Sequence, residues 1–576
     1  MHGSSLRFQW SKSPALRWVI GAALLFWLIC CGLVLQRYYN FYPTYVSFDQ
    51  GIFNQVFWNS LHGRWFESSL SSTESSLVMQ GEVPDVAYRR LGQHFTPALL
   101  LWLPFYAVFP SPAGLSVLQV TLVTASGLVL YALARHHLTP QLAAWITVSY
   151  YGATAVISPT VANFHDICQI PLYIFGLLLA LEKRALWLVL LLTILTLAVR
   201  EDSGVVLFGV GFYLAVSRRA LRLGIGLCVL SFAYMLLLTN LIMPLFSADI
   251  SQRFMIEQFG QFVDTPEAST LQVLWGILSH PVRLLTEIVT PLNKTLRYLL
   301  GQWVPLAFVS VISPEAWLLA GFPMLKLLIQ REEITSLSLH LRYAMTLVPG
   351  LFYGAILWWS RHPGLFQNRR FRRFWALCIG LSIFFTITSN PNRVLSFVIP
   401  DSFQPWVYVS PARQLEHRQA VQSLLTQIPS DASVTATDHL VAHLSNRREV
   451  LRFPMLRLKN DGNRVVRVEY AIADLWYLEQ YQSAFVDYRK SLKLTAERVS
   501  DCLTKQYGLI DFQDGVALLR RRTASRPDAL IAWSNYLNQI APILESLDAA
   551  NAATPSELHA GLIHVDADAV PGVPTD

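Results

Sequence analysis

The sequence predicts an α-helical polytopic membrane protein with a small α/β domain toward its C-terminus. Three observations predict it. Hydrophobic residues make up 53% of the 576-residue chain and charged residues only 14%, a balance that soluble domains do not show. Several apolar runs reach roughly 15–22 residues, the length that crosses a bilayer. Past residue 400 these runs stop, and short segments rich in β-branched residues and punctuated by turn residues take over, the pattern of strands and helices in a soluble domain. The excess of Lys and Arg over Asp and Glu, 45 against 38, reads as loop asymmetry and not as nucleic-acid affinity. No basic face interleaved with aromatics is present, so nucleic acid is not an expected partner. The six cysteines show no CxxC spacing and read as small core residues.

The first element is an apolar run over about 18–35, preceded by Arg7, Lys12 and Arg17. It is long for a signal peptide and lacks a small-residue cleavage pattern, so residues 1–17 are expected in the cytoplasm and the run as an uncleaved first span. A large outer loop is expected over 36–112. Near its end LGQHFTPALLLWLPFYAVFP holds an apolar stretch of about 12 residues, too short to span and read as re-entrant or interfacial. Spans follow over 113–134, 141–159 and 167–181, then ALWLVLLLTILTLAV, SGVVLFGVGFYLAV and 221–243. The stretch LQVLWGILSHPVRLLTEIV is amphipathic. Short spans are expected over 298–312 and 316–329, and later ones over 344–359 and 374–388. The total is about 11 spans, N-inside and C-outside, because Arg135, Lys183, Arg184, Arg218, Arg219, Arg222 and the RRFRR cluster then all fall on the cytoplasmic side.

Residues 18–399 thus form a transmembrane domain and 400–522 an extracytoplasmic α/β domain. Strands are expected over 433–436 and 449–453 and in VEYAIADL and GVALLRR, with a helix over 439–444. Residues 523–576, rich in Ala, Asp and Pro, read as largely disordered apart from one helix around 530–547.

Counting spans places Asp49, His94, His165, Asp166, Arg200, Glu201 and Asp202 together on the outer side. Asp49 lies in SFDQGIFNQVFWNS, a helix of aromatics and side-chain amides in which Asp49, Phe53 and Phe57 are i, i+4 neighbours. A carboxylate buried among aromatics can act as a general base toward an acceptor hydroxyl; the alternative is an interfacial helix capped by an acid. His94 is expected to bind a phosphate or assist proton transfer. Asn163, His165 and Asp166, in NFHDI, are expected to line a polar pocket, since two local ligands fall short of a zinc site. Arg200, Glu201 and Asp202 sit between two runs of only about 15 residues, which should draw the charges inside the bundle, where they are functional suspects; Arg200 is expected to hold phosphate bidentately. Arg342 and Tyr343, with His340 nearby, open a later span, and the Arg and Tyr read as membrane-interface anchors; Asp438 and His439 read as a strand-to-helix cap. No phosphate-binding loop, dinucleotide fingerprint, HExxH or GxSxG occurs.

The motifs SFDQGIFNQ, LGQHFTPALLLWLPFYAVFP, NFHDICQIPLYIFGLLLALEK, VREDSG and DASVTATDHLVAHLSNRREV resemble, as a set over residues 40–520, a bacterial family of predicted membrane proteins, domain-of-unknown-function family 2079. The layout is similar to that of C-type glycosyltransferases, which act on polyprenyl-phosphate sugars. That resemblance implies an enzyme of the cytoplasmic membrane that transfers a sugar on the extracytoplasmic face. Asp49 matches the first-loop acid of those enzymes, although Gln50 stands where many of them carry a second acid. Cofactors are unknown; a divalent metal is compatible but not indicated. Two other readings stay open. A transporter or lipid flippase would line a continuous cavity with charge on both sides. A non-enzymatic scaffold would bind a partner through its outer domain.

Overall fold

The computed structural model describes residues 14–41, 47–247, 258–263, 270–330, 337–389 and 394–552. The cytoplasmic N-terminus expected over 1–17 lies outside these up to residue 13, as do residues 42–46 of the outer loop expected over 36–112 and the tail beyond 552. The apolar runs fold into helices whose ends fall at the polar turns visible in the sequence. Among the described residues, four are long and apolar enough to cross a membrane: Pro14–Tyr39, Pro112–His137, Leu221–Leu245 and Arg369–Ser389. Five more helices, Ile170–Glu182, Leu186–Leu197, Gly204–Val216, Pro314–Leu328 and Val348–Arg361, have 12 to 15 residues. At 1.5 Å per residue they cover roughly 18–23 Å, less than a hydrocarbon core of about 30 Å.

Two expected spans are broken. The run over 141–159 becomes Pro140–Tyr151 and Thr154–Thr160, meeting at Gly152, where a Cβ would lie 2.8 Å from Ile379 Cγ2. Over 298–312 the helix Leu292–Trp303 gives way to left-handed backbone at Ala307 and Phe308, with φ of 50° and 64°. The continuous span expected there is corrected to a helix followed by a turn. The short apolar stretch after His94 is a 3₁₀ turn, Pro97–Trp102, running into the helix Leu103–Val108.

Glu182 ties one end of the bundle together. It accepts hydrogen bonds from Tyr353 and from Arg219 at 3.0 Å and lies 3.1 Å from His137. The C-terminal region packs at the other end, against the helix Ser47–Leu61 and the chain that follows it. Its five-stranded sheet runs in the order Val450–Arg452, Val434–Ala436, Tyr470–Asp474, Val516–Arg521, Tyr507–Gln513. The first three strands are parallel and the last two are antiparallel to their neighbours. Side chains of the central strand alternate between two cores. Tyr470 and Ile472 meet Leu440 and Val421, whereas Ala471 and Ala473 meet Leu492 and Trp533. Four strands match the sequence expectation; Tyr507–Gln513 was not anticipated. The helix expected around 530–547 is present as Pro527–Ala552, and Trp533, Tyr536 and Ile540 bury it on the sheet.

The helix Ser47–Leu61 couples the two parts. Phe48 and Ile52 enter the core of the sheet, and Phe53, Val56 and Phe57 enter the core of the bundle. Its amides are cross-links. Gln50 donates to Ser116 Oγ at 2.8 Å, Asn54 to Ser445 Oγ at 2.8 Å, and Gln55 to the carbonyls of Arg447 and Arg448 at 3.2 and 3.1 Å. Gly51 permits the close approach: a Cβ there would stand 2.7 Å from Val441 Cγ1. Gly51→Val is therefore expected to destabilise the chain by about 1–3 kcal/mol through overpacking, and Gly51→Ala by less. Thermal unfolding of the full chain in detergent checks this, and wild-type behaviour of Gly51→Val would disprove the tight contact.

Candidate functional site

The end of the bundle beneath the C-terminal region collects the charges. The helix Leu186–Leu197 stops at Ala198, Arg200 is extended (φ −166°, ψ 154°), and the turn Glu201–Ser203 starts the next helix. The chain at His94–Ala98 lies along this turn. His94 Nδ1 is 2.9 Å from Glu201 Oε1, Phe95 N donates to Glu201 Oε2 at 3.0 Å, and Ala98 N donates to Ala198 O at 2.9 Å. Arg200 is 2% exposed. Its Nε lies 3.3 Å from Glu201 Oε1 and 3.5 Å from Asp202 Oδ1, and its Nη1 lies 3.9 Å from Asp166 Oδ1. Asp202 also pairs with Lys326.

Arg200 Nη2 sits 3.3 Å from His94 Nε2. A guanidinium only donates, so Nε2 accepts and the His94 proton resides on Nδ1, facing Glu201. Burial and the neighbouring Arg200 both hold His94 below its ordinary value. His94 is thus a committed side chain, with one ring nitrogen facing Glu201 and the other facing Arg200.

Asp49 reaches the same end from the helix Ser47–Leu61. Its Oδ2 accepts from Arg342 Nη1 at 2.5 Å. Burial raises Asp49, but Arg342 outweighs it, and the net shift is downward. Arg342 lies 5.4 Å from the Tyr343 ring centroid, and Arg200 lies 5.6 Å from the same ring, so one aromatic side chain bridges the two guanidinium groups. The interface-anchor reading of Arg342 and Tyr343 is corrected: the pair is enclosed by Asp49 and Arg200, from segments 293 residues and more than a hundred residues distant. Arg90, 5% exposed, lies over Phe53 at 4.8 Å with its Nη1 3.4 Å from Ser71 Oγ.

The NFHDI segment forms the floor. Asn163 Oδ1 accepts from Arg37 Nη2 at 2.5 Å. The backbone N of His165 donates to Gln119 Oε1 at 2.9 Å, and His165 Nε2 is 3.3 Å from Pro159 O. A carbonyl accepts only, which puts the proton on Nε2 and leaves Nδ1 as a buried acceptor. Burial, followed by Arg342, lowers His165 to about 3, so it stays neutral at physiological pH. Asp166 is fully buried; Oδ1 accepts from Ile167 N at 3.0 Å. Asp49, Asn163, Phe164, His165, His340 and Arg342 line a cleft whose free space is about that of one water.

All eight residues that the sequence proposes as site residues therefore lie in one connected assembly, in which Asp49 and Arg200 are linked through Arg342 and Tyr343 on one side and through the His165–Asp166 segment on the other. Arg37, Arg90 and Lys326 belong to it and were missed, and Arg342 and Tyr343 belong to it although they read as interface anchors. The one available signal was that Arg342, like Arg200, opens a short helix after a polar stretch. Among the described residues no group of three or more His, Cys, Asp or Glu converges as a metal-holding set.

A second polar cluster sits in the C-terminal sheet. Asp438 pairs with Arg452 through both oxygens, at 2.6 and 2.7 Å, while His439 Nε2 lies 2.7 Å from Asp474 Oδ2. Both reach across to other elements, so the cap expected of them is replaced by cross-links. His417, fully buried, places Nε2 3.0 Å from Asp474 and Nδ1 2.8 Å from Asp514. With a carboxylate on each ring nitrogen it is a cation. Burial lowers its pKa, but Asp474 and Asp514 outweigh this and the net shift is upward. A raised pKa adds stability that is complete below the unfolded value, near 6.5, and is lost as pH rises through the folded value. The thermal midpoint is expected to fall as pH is raised above this value, and His417→Gln to flatten that slope; an unchanged slope in the variant would contradict it. The larger cavity, ≈ 500 Å³, lies beside this cluster, lined by Arg413, Trp476, Glu479 and Tyr536. Its charges are already engaged: Arg413 with Asp514, and Glu479 with Tyr536 and Gln539.

No curated protein matches the chain. Among solved structures, the archaeal oligosaccharyltransferase AglB from Archaeoglobus fulgidus, in complex with an inhibitory peptide and a dolichol-phosphate, is similar at 13% identity and a TM-score of 0.38, over 85% of this chain and 72% of that chain. That likeness is too loose to transfer a mechanism. The family model described as "Predicted membrane protein (DUF2079)" matches residues 37–518. A match that runs from the end of the first helix into the last strand of the C-terminal sheet makes this chain a member of the DUF2079 family of predicted membrane proteins.

Proposed function

We propose that this chain is a glycosyltransferase of the cytoplasmic membrane that takes a sugar from a polyprenyl-phosphate donor on the extracytoplasmic side. In this reading the chain crosses the membrane about 11 times, N-inside, with the C-terminal α/β region outside. The convergence of Asp49 with Arg342, Arg200, His165 and Asp166 in one assembly carries the proposal. The Glu182 cluster, next to Lys183 and Arg184 and joined by Arg219, lies at the opposite end of the bundle and supports the orientation.

The reaction is an inverting displacement. The acceptor hydroxyl attacks the anomeric carbon, its new C–O bond forms as the bond to the lipid phosphate breaks, and the phosphate leaves with the electron pair. The hydroxyl proton passes to Asp49. Arg342 and Arg200 supply the positive potential for the leaving phosphate. The His165 Nδ1 acceptor and Asp166 line the sugar's position, with Asn163 held in place by Arg37. Membranes containing the chain are expected to consume lipid-linked sugar extracted from a strain that lacks it, and that strain to accumulate the donor. Unchanged lipid-linked sugar pools in both would reject the reading.

A further inference from the structure

Five buried polar atoms of this assembly have no hydrogen-bond partner among the described residues: Arg37 Nη1, Arg90 Nε, Arg342 Nε, His165 Nδ1 and Asp166 Oδ2. Unpartnered buried groups are rare and call for an absent partner, and here they gather around one cleft and its immediate neighbours. The arginines differ in how far they are committed. Arg200 is 2% exposed, and its nitrogens face Glu201, Asp202, Asp166 and His94. Arg342 lines the cleft and keeps 19% of its side chain accessible; Nη1 holds Asp49, and Nε is unpartnered. Arg342 is therefore the guanidinium best placed to meet an entering anion, and the carboxylate now occupying it is Asp49.

We infer that the Asp49–Arg342 pair is a latch: an entering phosphate takes Arg342 from Asp49, so holding the anion and freeing the carboxylate are one exchange. This rests on the transferase reading above and assigns its phosphate contact to Arg342 in place of Arg200. The cleft is otherwise too small for a ligand, so entry requires the pair to part. A guanidinium fork accommodates phosphate bidentately, with Nε and an Nη both engaged, and Nε is the nitrogen left without a partner. Before entry, the paired Asp49 is a poor base. After it, the same carboxylate stands unpaired in a partly buried site and accepts a proton more readily. Chemistry is thereby confined to the loaded state.

The test measures binding to the purified full chain in detergent, without acceptor or sugar. The probes are farnesyl phosphate, inorganic phosphate and neutral farnesol. Arg342→Gln is expected to weaken farnesyl phosphate about tenfold or more, while Arg342→Lys, which keeps the charge, loses less. If the latch is open in about a tenth of molecules, Asp49→Asn tightens binding by up to about tenfold, because the charged internal competitor for Arg342 becomes a neutral and weaker one. General charge removal would also tighten binding, so the double variant decides: with Arg342→Gln already present, Asp49→Asn should change affinity less than about twofold. Persistence of the full effect in that background overturns the latch, as does weaker binding by Asp49→Asn, equal binding of farnesol, or no phosphate binding by either wild type or Asp49→Asn. Competition by inorganic phosphate identifies recognition of the phosphate alone; binding of farnesyl phosphate only identifies the lipid-borne group, and both support the exchange. A chain that binds as expected but transfers no sugar keeps the latch and rejects the transferase.

Discussion

Asp49→Asn is expected to lower sugar transfer by about 10²–10⁴-fold, the range for losing a positioned general base, while the chain still inserts and folds. The fold should survive because the rest of the Ser47–Leu61 helix is held independently. Phe48 and Ile52 are buried against the sheet, Phe53 and Phe57 against the bundle, and Gln50, Asn54 and Gln55 make their own hydrogen bonds. Asn keeps the shape of the side chain and an oxygen for Arg342 but cannot take the acceptor proton. The assay is turnover of a labelled polyprenyl-phosphate sugar by purified protein, with the melting curve as a control. Full activity in a well-folded Asp49→Asn protein would remove Asp49 from the chemistry. Asp49→Glu keeps the carboxylate but lengthens the side chain by one methylene, which displaces it from Arg342, and is expected to fall between the two.

Arg200→Ala is expected to produce the largest loss of stability, about 3–5 kcal/mol, the range for removing one partner of a buried ion pair. Three carboxylates, on Asp166, Glu201 and Asp202, depend on this guanidinium. Lys326 would still serve Asp202, and His94 would still meet Glu201, but Asp166 has no other cation among its ion pairs in the described residues. Arg200→Lys keeps the charge without the fork and is expected to cost less. Thermal unfolding in detergent reads both, and a Arg200→Ala midpoint near that of wild type would show that the turn does not rely on Arg200. Activity should fall together with the fold in this variant, whereas Asp49→Asn should lose activity alone, so the pair separates loss of the base from loss of the framework that holds the site.

The local elements were largely legible. The helix around Asp49, the turn at Arg200, Glu201 and Asp202, and the strands at Val434–Ala436 and Tyr470–Asp474 each announce themselves through periodicity or punctuation within a dozen residues. Counting apolar runs grouped Asp49, His94, His165 and Arg200 at one end of the bundle, and the structure joins them in one assembly. The residues that were misread are those whose meaning depends on a distant partner. Arg342 beside Tyr343 has the composition of a membrane-interface anchor, and nothing near it in the chain indicates Asp49. The amides of the Ser47–Leu61 helix likewise find partners far along the chain, at Ser116 and in the segment Ser445 to Arg448. His417 and Asp474 lie 57 residues apart, with no motif joining them.

Short-range chemistry in the chain thus settles which stretches are apolar, where they must stop and which carboxylates and arginines stand at the stops. It does so because hydrophobic length, turn residues and charge act over a few residues at a time. Only folding decides which of those charges neutralise one another: Asp49 takes Arg342, Arg200 takes Asp166, Glu201 and Asp202, and Asn163 takes Arg37. A buried ion needs a partner at hydrogen-bond distance, and that distance is set by how the helices pack, which no local pattern encodes.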